Sequence, residues 1–371
     1  MRTITVMSIV WLLGAAVAAG QATPPKPQMA EEAFTNVQIL KGIPVDEFMG
    51  TMGFFSASLG LNCTDCHVDE SGGNWKKYAD ETPLKQTARR MMQMVASLNR
   101  ASFGGRQMVT CNTCHRGTSR PNVMPSIALL YGAPPPDEPG EPFTQAPGQP
   151  SADQVLDRYL QAIGGAQRLA GLTTLVGKGT YLGFDDAEKR TMEVFAKAPG
   201  QRATILSSPA GTSTTTYDGR EGWIAAPETE KPVPLLALTG QELDGVKLEA
   251  ELWFPARIKQ ALRNWRVGTL QTIGDREVQP VQGNTAGGAT VTLCFDAESG
   301  VLSRLVRYSE SPVGRLVTQV DYAEYREVAG VRIPFRWTVS WLNGRSVFEL
   351  TDVQPNVPID AARFARPAIR R

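Results

Sequence analysis

Cys63-Thr64-Asp65-Cys66-His67 and Cys111-Asn112-Thr113-Cys114-His115 are two copies of one pattern, CxxCH, and they hold four of the five cysteines and both histidines of a 371-residue chain. CxxCH reads as c-type haem attachment. Two thiols three residues apart are placed to add, one each, to the two vinyl groups of a haem, and the histidine that follows presents its imidazole to the iron. The pattern therefore predicts two covalently attached haem c groups, one on Cys63 and Cys66 with His67 on the iron, the other on Cys111 and Cys114 with His115. A four-thiolate zinc site would use the same cysteines, but zinc ribbons separate their pairs by about 15–20 residues. Here 44 residues lie between Cys66 and Cys111, and zinc would leave both histidines without a task. Redox dithiols would call for a βαβ context, and structural disulfides in an exported domain need no histidine.

Six-coordinate iron takes a second axial ligand, and with both histidines committed no intrachain bis-histidine pair is left. Methionine is the remaining soft ligand, and Met/His ligation raises the haem potential. Six of the 11 methionines fall between residues 31 and 120, namely Met49, Met52, Met91, Met92, Met94 and Met108. In TARRMMQMVASLN, positions 91, 94, 95 and 98 share one helical face ahead of the second motif. Met49 and Met52 stand in the same relation to the first. A face of this kind ordinarily fills a core, but an iron in need of a ligand favours the methionine reading. Arg89, Arg90, Arg100, Arg106 and Arg116 beside the motifs either pair with haem propionates or form a solvated charged face.

Around this segment the chain divides. Arg2 followed by the apolar run Ile4 to Ala19 and small residues to Ala22 reads as a secretory signal peptide over residues 1–20. Residues 21–120 form the haem-bearing domain. Residues 121–150 carry nine prolines and read as a semi-rigid linker, and residues 151–371 form a second domain. In that domain Ser151 and Gln154 form a capping box for a helix whose Val155, Leu156, Tyr159, Leu160 and Ile163 share a face. Thr239 and Glu242 cap a second helical stretch through Leu262, interrupted near Pro255. Val331, Ile333, Phe335, Trp337, Val339 and Trp341 alternate with more polar residues, the signature of a half-buried strand. Val291 to Phe295 and Leu302 to Tyr308 read as a hairpin, with Cys294 a small strand residue on the face away from Val291, Leu293 and Phe295. The fold class expected is a mostly α di-haem cytochrome c domain followed by an α+β domain with a curved antiparallel sheet. Lys plus Arg total 38 against 37 Asp plus Glu, a balance that argues against nucleic acid as a partner.

VDEFMGTM ahead of LNCTDCH, and ARRMMQMVASLN ahead of MVTCNTCHRG, together about residues 36 to 121, resemble the cytochrome c subunit of photosynthetic reaction centres. In that family each haem unit places a Met-bearing helix before CxxCH. The resemblance implies Met52 as the distal ligand of the haem on Cys63 and Cys66, and Met91 as that of the haem on Cys111 and Cys114. It also implies a redox partner protein, membrane-bound in the family. Full-length members carry four haems, whereas this chain has cysteines for two. The second domain resembles lipoprotein-carrier-like outer-membrane domains in its opening helix, its strand order and its ending NVPIDAARF, which implies an apolar ligand. Phe335, Trp337 and Trp341 either line such a site or fill the core.

The function expected is electron transfer by a periplasmic di-haem c-type cytochrome that is not an enzyme, soluble or peripheral to a membrane complex. A di-haem peroxidase would need one open iron and a distal acid/base group, and no third histidine is present to serve. The other alternative is an exported binding protein whose sheet domain recognises a lipid or lipoprotein.

Overall fold

A computed structural model describes residues 26–132, 143–184, 186–209, 211–226 and 232–368. The expected signal peptide and the middle of the proline-rich stretch lie outside these residues. Among the described residues no helix is long and apolar enough to cross a membrane.

The N-terminal region is helical: α1 (Ala30–Ala33), α2 (Val45–Leu59), α3 (Cys63–Cys66), α4 (Pro83–Phe103), α5 (Cys111–His115) and α6 (Ile127–Tyr131). Asp46 and Glu47 in the first turn of α2 complement the helix dipole. Gly60, at φ 64°, stops the helix in the left-handed conformation that glycine adopts without strain. A Cβ at Gly60 would lie 2.3 Å from the Gly117 carbonyl oxygen, so the end of α2 and the turn after α5 meet backbone to backbone. The longest helix, α4, starts with Thr82 as N-cap, whose hydroxyl accepts from Lys85 N, followed by Pro83 where a missing N–H costs nothing.

The C-terminal region opens with α7 (Ala152–Ala162) and α8 (Ala166–Ala170), then builds, among the described residues, fourteen strands around α9 (Gly240–Leu252) and α10 (Ile258–Ala261). These are β1 (Thr174–Leu182), β2 (Arg190–Lys197), β3 (Gln201–Ser208), β4 (Gly211–Tyr217), β5 (Gly222–Ala225), β6 (Leu235–Ala237), β7 (Arg263–Val267), β8 (Gln271–Ile273), β9 (Arg276–Asn284), β10 (Thr290–Asp296), β11 (Leu302–Ser311), β12 (Gly314–Val328), β13 (Val331–Trp341) and β14 (Gly344–Pro355). Their order is β6-β5-β4-β3-β2-β1-β14-β13-β12-β11-β10-β9-β7, with β8 hairpinned onto β9. Every pairing is antiparallel, and the path does not close on itself. The sheet must curve, because α9 touches both β4 and β11. Those strands would lie about 34 Å apart in a flat sheet, against a helix only about 10–12 Å across. A helical region followed by an α+β region with a curved antiparallel sheet is therefore what the chain adopts, as the expected architecture has it.

Most of the expected local structure is present. Ser151 and Gln154 form the capping box, and α7 buries Val155, Leu156, Tyr159 and Leu160. Val291–Phe295 and Leu302–Arg307 pair as a hairpin. The alternation of β13 holds through Trp337 and then fades, leaving Trp341 37% exposed against Phe184. One local expectation gives way to tertiary demands. Thr239 caps nothing with its side chain. Its hydroxyl and backbone N–H donate to Asp46 Oδ2 at 3.0 and 2.9 Å, while Glu242 accepts from Arg307 at 3.0 Å and Ser309 at 2.8 Å. Cys294 lies within β10 as expected; that strand is buried on both sides, and burial pushes the thiol up to about 12.

Residues 143–150 lie along β7, with Ala146 N donating to Val267 O at 2.9 Å and Val267 N to Gln145 Oε1 at 2.8 Å, which covers an otherwise open sheet edge. The helical region sits on the hairpin ends of the sheet. Phe54 of α2 is buried with Val313 and Leu316, and Leu342 packs against the same cluster. A Cβ at Gly314 would lie 2.3 Å from the Phe54 ring, so glycine at that turn is what admits the ring. Gln107 Nε2 donates to Ser311 O at 3.1 Å.

Two outcomes follow from this packing. Phe54→Ala is expected to lower the free energy of unfolding by about 3 kcal/mol in a urea melt, and a change under about 0.5 kcal/mol would mean that the ring is not part of a packed contact. Cys294 is expected to resist alkylation at pH 8 in the folded protein and to react readily in urea, as read by peptide mapping.

Candidate haem sites

Each CxxCH motif is built on a single helical turn. In α3, Asn62 N donates to Asp65 Oδ2 at 2.7 Å, and in the turn that opens α5, Thr110 N donates to Thr113 Oγ1 at 3.0 Å. Residues three apart on a helix share a face, so the turn sets Cys63 beside Cys66 and Cys111 beside Cys114. None of the five cysteines is paired in a disulfide. Among the described residues no group of three or more His, Cys, Asp or Glu side chains converges on a common point.

The first motif opens onto a cavity of about 470 Å³ with predominantly apolar walls, within the range of cofactor pockets. Cys63, Cys66, His67 and Met52 all line it, so the structure brings together every residue expected at the first site. Phe34 and Phe48, stacked with centroids 5.2 Å apart, form part of another wall, with Phe55, Trp75 and Tyr78. Three methionines face the space: Met49, Met52 and, from α4, Met92. Lys85, Ala88, Arg89 and Met92 lie at helical spacing and give α4 one face toward this cavity. Pro232 of the sheet region completes the lining.

His67 is oriented by its neighbours. Its Nδ1 lies 3.0 Å from the Tyr78 carbonyl oxygen, which can only accept, so the proton sits on Nδ1 and the Nε2 lone pair is free for a metal. The ring also packs edge-on against Tyr78, centroids 4.8 Å apart. Burial, with Lys85 and Arg89 adding to it, holds the His67 pKa below its ordinary value and keeps the ligating neutral form. Thr82 Oγ1 donates to Cys66 O at 2.6 Å, which ties the N-terminus of α4 to the motif. Burial also raises the Cys66 and Cys111 thiols.

The second motif repeats this arrangement on a more open surface. His115 Nδ1 lies 3.0 Å from Thr118 O, so here too Nε2 carries the lone pair. Cys111 is half-buried against the cluster of Phe54, Phe55 and Met92, Cys114 is exposed and His115 is half-buried. Met91 does not face the first cavity. It shares an exposed face of α4 with Met94 and Leu98, 39%, 52% and 41% exposed, and α4 is in contact with α5. Both adjacent methionines thus have a place, Met92 turned to the first site and Met91 away from it.

Of the arginines singled out by sequence, Arg89 lines the first cavity and is held by a bidentate pair with Glu81, at 2.8 and 2.9 Å. Arg89, with Asn36 assisting, brings the Glu81 carboxyl down to about 2. Several supporting residues escape the sequence pattern. Asn99, buried on α4, accepts from Met108 N at 3.2 Å and Val109 N at 3.0 Å and donates to Val109 O at 2.8 Å, fixing the strand of chain that enters the second motif. The one available sign was a polar residue two turns beyond the methionines on the same helix.

The concave side of the sheet holds a second, much smaller space of about 60 Å³ among Tyr159, Trp253, Tyr322 and Trp337. Trp337 is stacked on Phe348 at 5.2 Å and meets Trp253 edge-on at 6.0 Å, so these rings fill core rather than frame a ligand-sized pocket.

Residues 12–128 match the family model described as photosynthetic reaction centre cytochrome C subunit. The resemblance seen in the sequence is thereby borne out over this segment. Similar relatives are the photosynthetic reaction center cytochrome c subunit of Thermochromatium tepidum, 37% identical over 107 residues, and that of Rubrivivax gelatinosus, 31% identical over 99. The matched segments cover 28% and 23% of this chain and 24% of each relative, so the chain spans about a quarter of the length of these relatives. Similar solved structures include a LolA superfamily protein from Nitrosomonas europaea, 15% identical, covering 58% of this chain and 98% of that one at a TM-score of 0.40. A DUF1329 family protein from Desulfovibrio piger is 10% identical, with 58% and 98% covered and a TM-score of 0.42.

Replacing Asn99 by Ala would strand the Met108 and Val109 N–H groups and is expected to cost about 1–3 kcal/mol of stability. A urea melt checks this, and an unchanged midpoint would mean that another acceptor takes over.

Proposed function

We propose that the helical region is a di-haem c-type cytochrome that carries electrons in the periplasm and is not itself an enzyme. The observation that carries this reading is the repeated device at both motifs: a CxxC turn followed by a histidine whose Nδ1–H is committed to a backbone carbonyl. That arrangement leaves one imidazole lone pair at each motif, beside two thiols on one face. The first cavity has the size and apolar lining to seat a haem on Cys63 and Cys66, and the exposed apolar face of α4 offers the wall of a second on Cys111 and Cys114. Bound there, each haem would supply a one-electron couple, and the residues of this chain would do the holding.

Met52 would supply the sulfur ligand at the first site, where it shares the cavity with His67. Met91 would supply it at the second, on the face it shares with Met94. A sulfur ligand raises the potential relative to a second imidazole, which suits a carrier. The similarity to reaction centre cytochrome subunits supports a membrane-bound redox protein as the partner, met at the more exposed second site. The sheet region, in this reading, acts as a fixed wall: Pro232 lines the first cavity, and Val313 and Leu342 pack into the cluster beside Cys111.

Potentiometric titration tests the assignment. Met52→Ala and Met91→Ala are each expected to lower the potential of a different haem by more than ~59 mV, a tenfold change for a one-electron couple, with both haems still covalently attached. An unchanged potential in Met91→Ala would move that ligand to Met94.

A further inference from the structure

The Tyr78 carbonyl oxygen accepts two hydrogen bonds. One comes from His67 Nδ1 at 3.0 Å, the other from Lys85 Nζ at 2.9 Å, and the same ammonium donates to Asp80 O at 2.6 Å. Lys85 is half-buried, lines the cavity that holds Cys63, Cys66 and His67, and has no carboxylate within salt-bridge distance among the described residues. The charges nearest to it are already matched: Asp80 by Lys77 at 3.0 Å, and Glu81 by Arg89 at 2.8 Å. The second motif lacks this feature. There His115 Nδ1 meets Thr118 O, and among the described residues no side-chain cation shares that oxygen.

We propose that Lys85 is a positioning residue that raises the reduction potential of the haem on Cys63 and Cys66 through the Tyr78 carbonyl and so makes the two haems unequal. This rests on the reading of the first site as a haem site. A carbonyl polarised by an ammonium is a weaker acceptor for the imidazole N–H, so the His67 ring carries less negative charge and is a poorer donor to the metal. The oxidised site holds one positive charge more than the reduced site, and a cation within the same cavity disfavours it directly. Reduction adds one electron, taken from the partner protein, and makes or breaks no bond. Both effects have the same sign, and among the described residues the effect through a shared carbonyl has no counterpart at His115.

The test uses the full chain with both haems attached. Lys85→Gln is expected to shift one of the two reduction equilibria about tenfold toward the oxidised form, ~59 mV, and to leave the other in place. It should also move the His67 Nδ1–H resonance of the reduced protein. Lys85→Arg keeps the charge and is expected to restore most of the shift. Unchanged potentials in Lys85→Gln, or two potentials moving together, would overturn the proposal, as would equal effects of Gln and Arg. Should Lys85→Gln fail to fold, the wild type decides: the higher potential must be the one that Met52→Ala lowers, and the reverse order overturns the proposal. Peptide masses of the wild type separate the two readings, since a first motif without haem would defeat the site assignment, whereas haem with unmoved potentials defeats only the role of Lys85.

Discussion

An imidazole presents one lone pair in a fixed direction only when its other nitrogen is occupied, and in this chain a backbone carbonyl meets that condition at each motif. At the first motif the carbonyl is that of Tyr78, at the end of a 3-10 turn over Trp75–Ala79 whose place is set by α4: Lys85 binds the carbonyls of Tyr78 and Asp80, and Thr82 binds that of Cys66. At the second it is Thr118, just beyond the point where Gly117 meets Gly60 at the end of α2. The two long helices are therefore more than walls. One end of α4 orients His67 while its far end, through Asn99, feeds the chain into Cys111.

This arrangement leans on the sheet. Phe54 is anchored between Val313, Leu316 and Gly314, and the opposite side of the same cluster is Phe55, Met92 and Cys111. Displacing the hairpin ends would loosen α2 and α4 together, and with them both motifs. Asp46 makes the same point from the polar side, since its bonds to Thr239 hold the first turn of α2 to the start of α9. That carboxyl is raised by burial, although the Thr239 donors oppose the shift, as expected of a group enclosed between two packed regions.

The parts legible in the sequence were those specified locally. CxxCH states its chemistry within five residues, a capping box within four, and the strand alternation of Val331 to Trp337 within seven. What stayed hidden depended on residues far apart in the chain. Thr239 and Glu242 have the spacing of a capping pair, but long-range partners, Asp46 and Arg307, take their side chains. Cys294 alternates correctly, yet both faces of its strand are covered. The carbonyl of Tyr78 had no signature at all, because a backbone atom is the same in every residue. The neighbouring methionines show the limit most clearly: a one-residue step around α4 separates the first cavity from the exposed face, and spacing alone does not say which site each serves.

The central claim, two haems held covalently by this one chain, is tested most directly by the intact and peptide masses of protein matured where c-type haem attachment takes place. The account predicts a mass gain of two haem groups, one on the peptide with Cys63 and Cys66 and one on the peptide with Cys111 and Cys114. A single haem, or none with all four thiols still alkylatable, would contradict it.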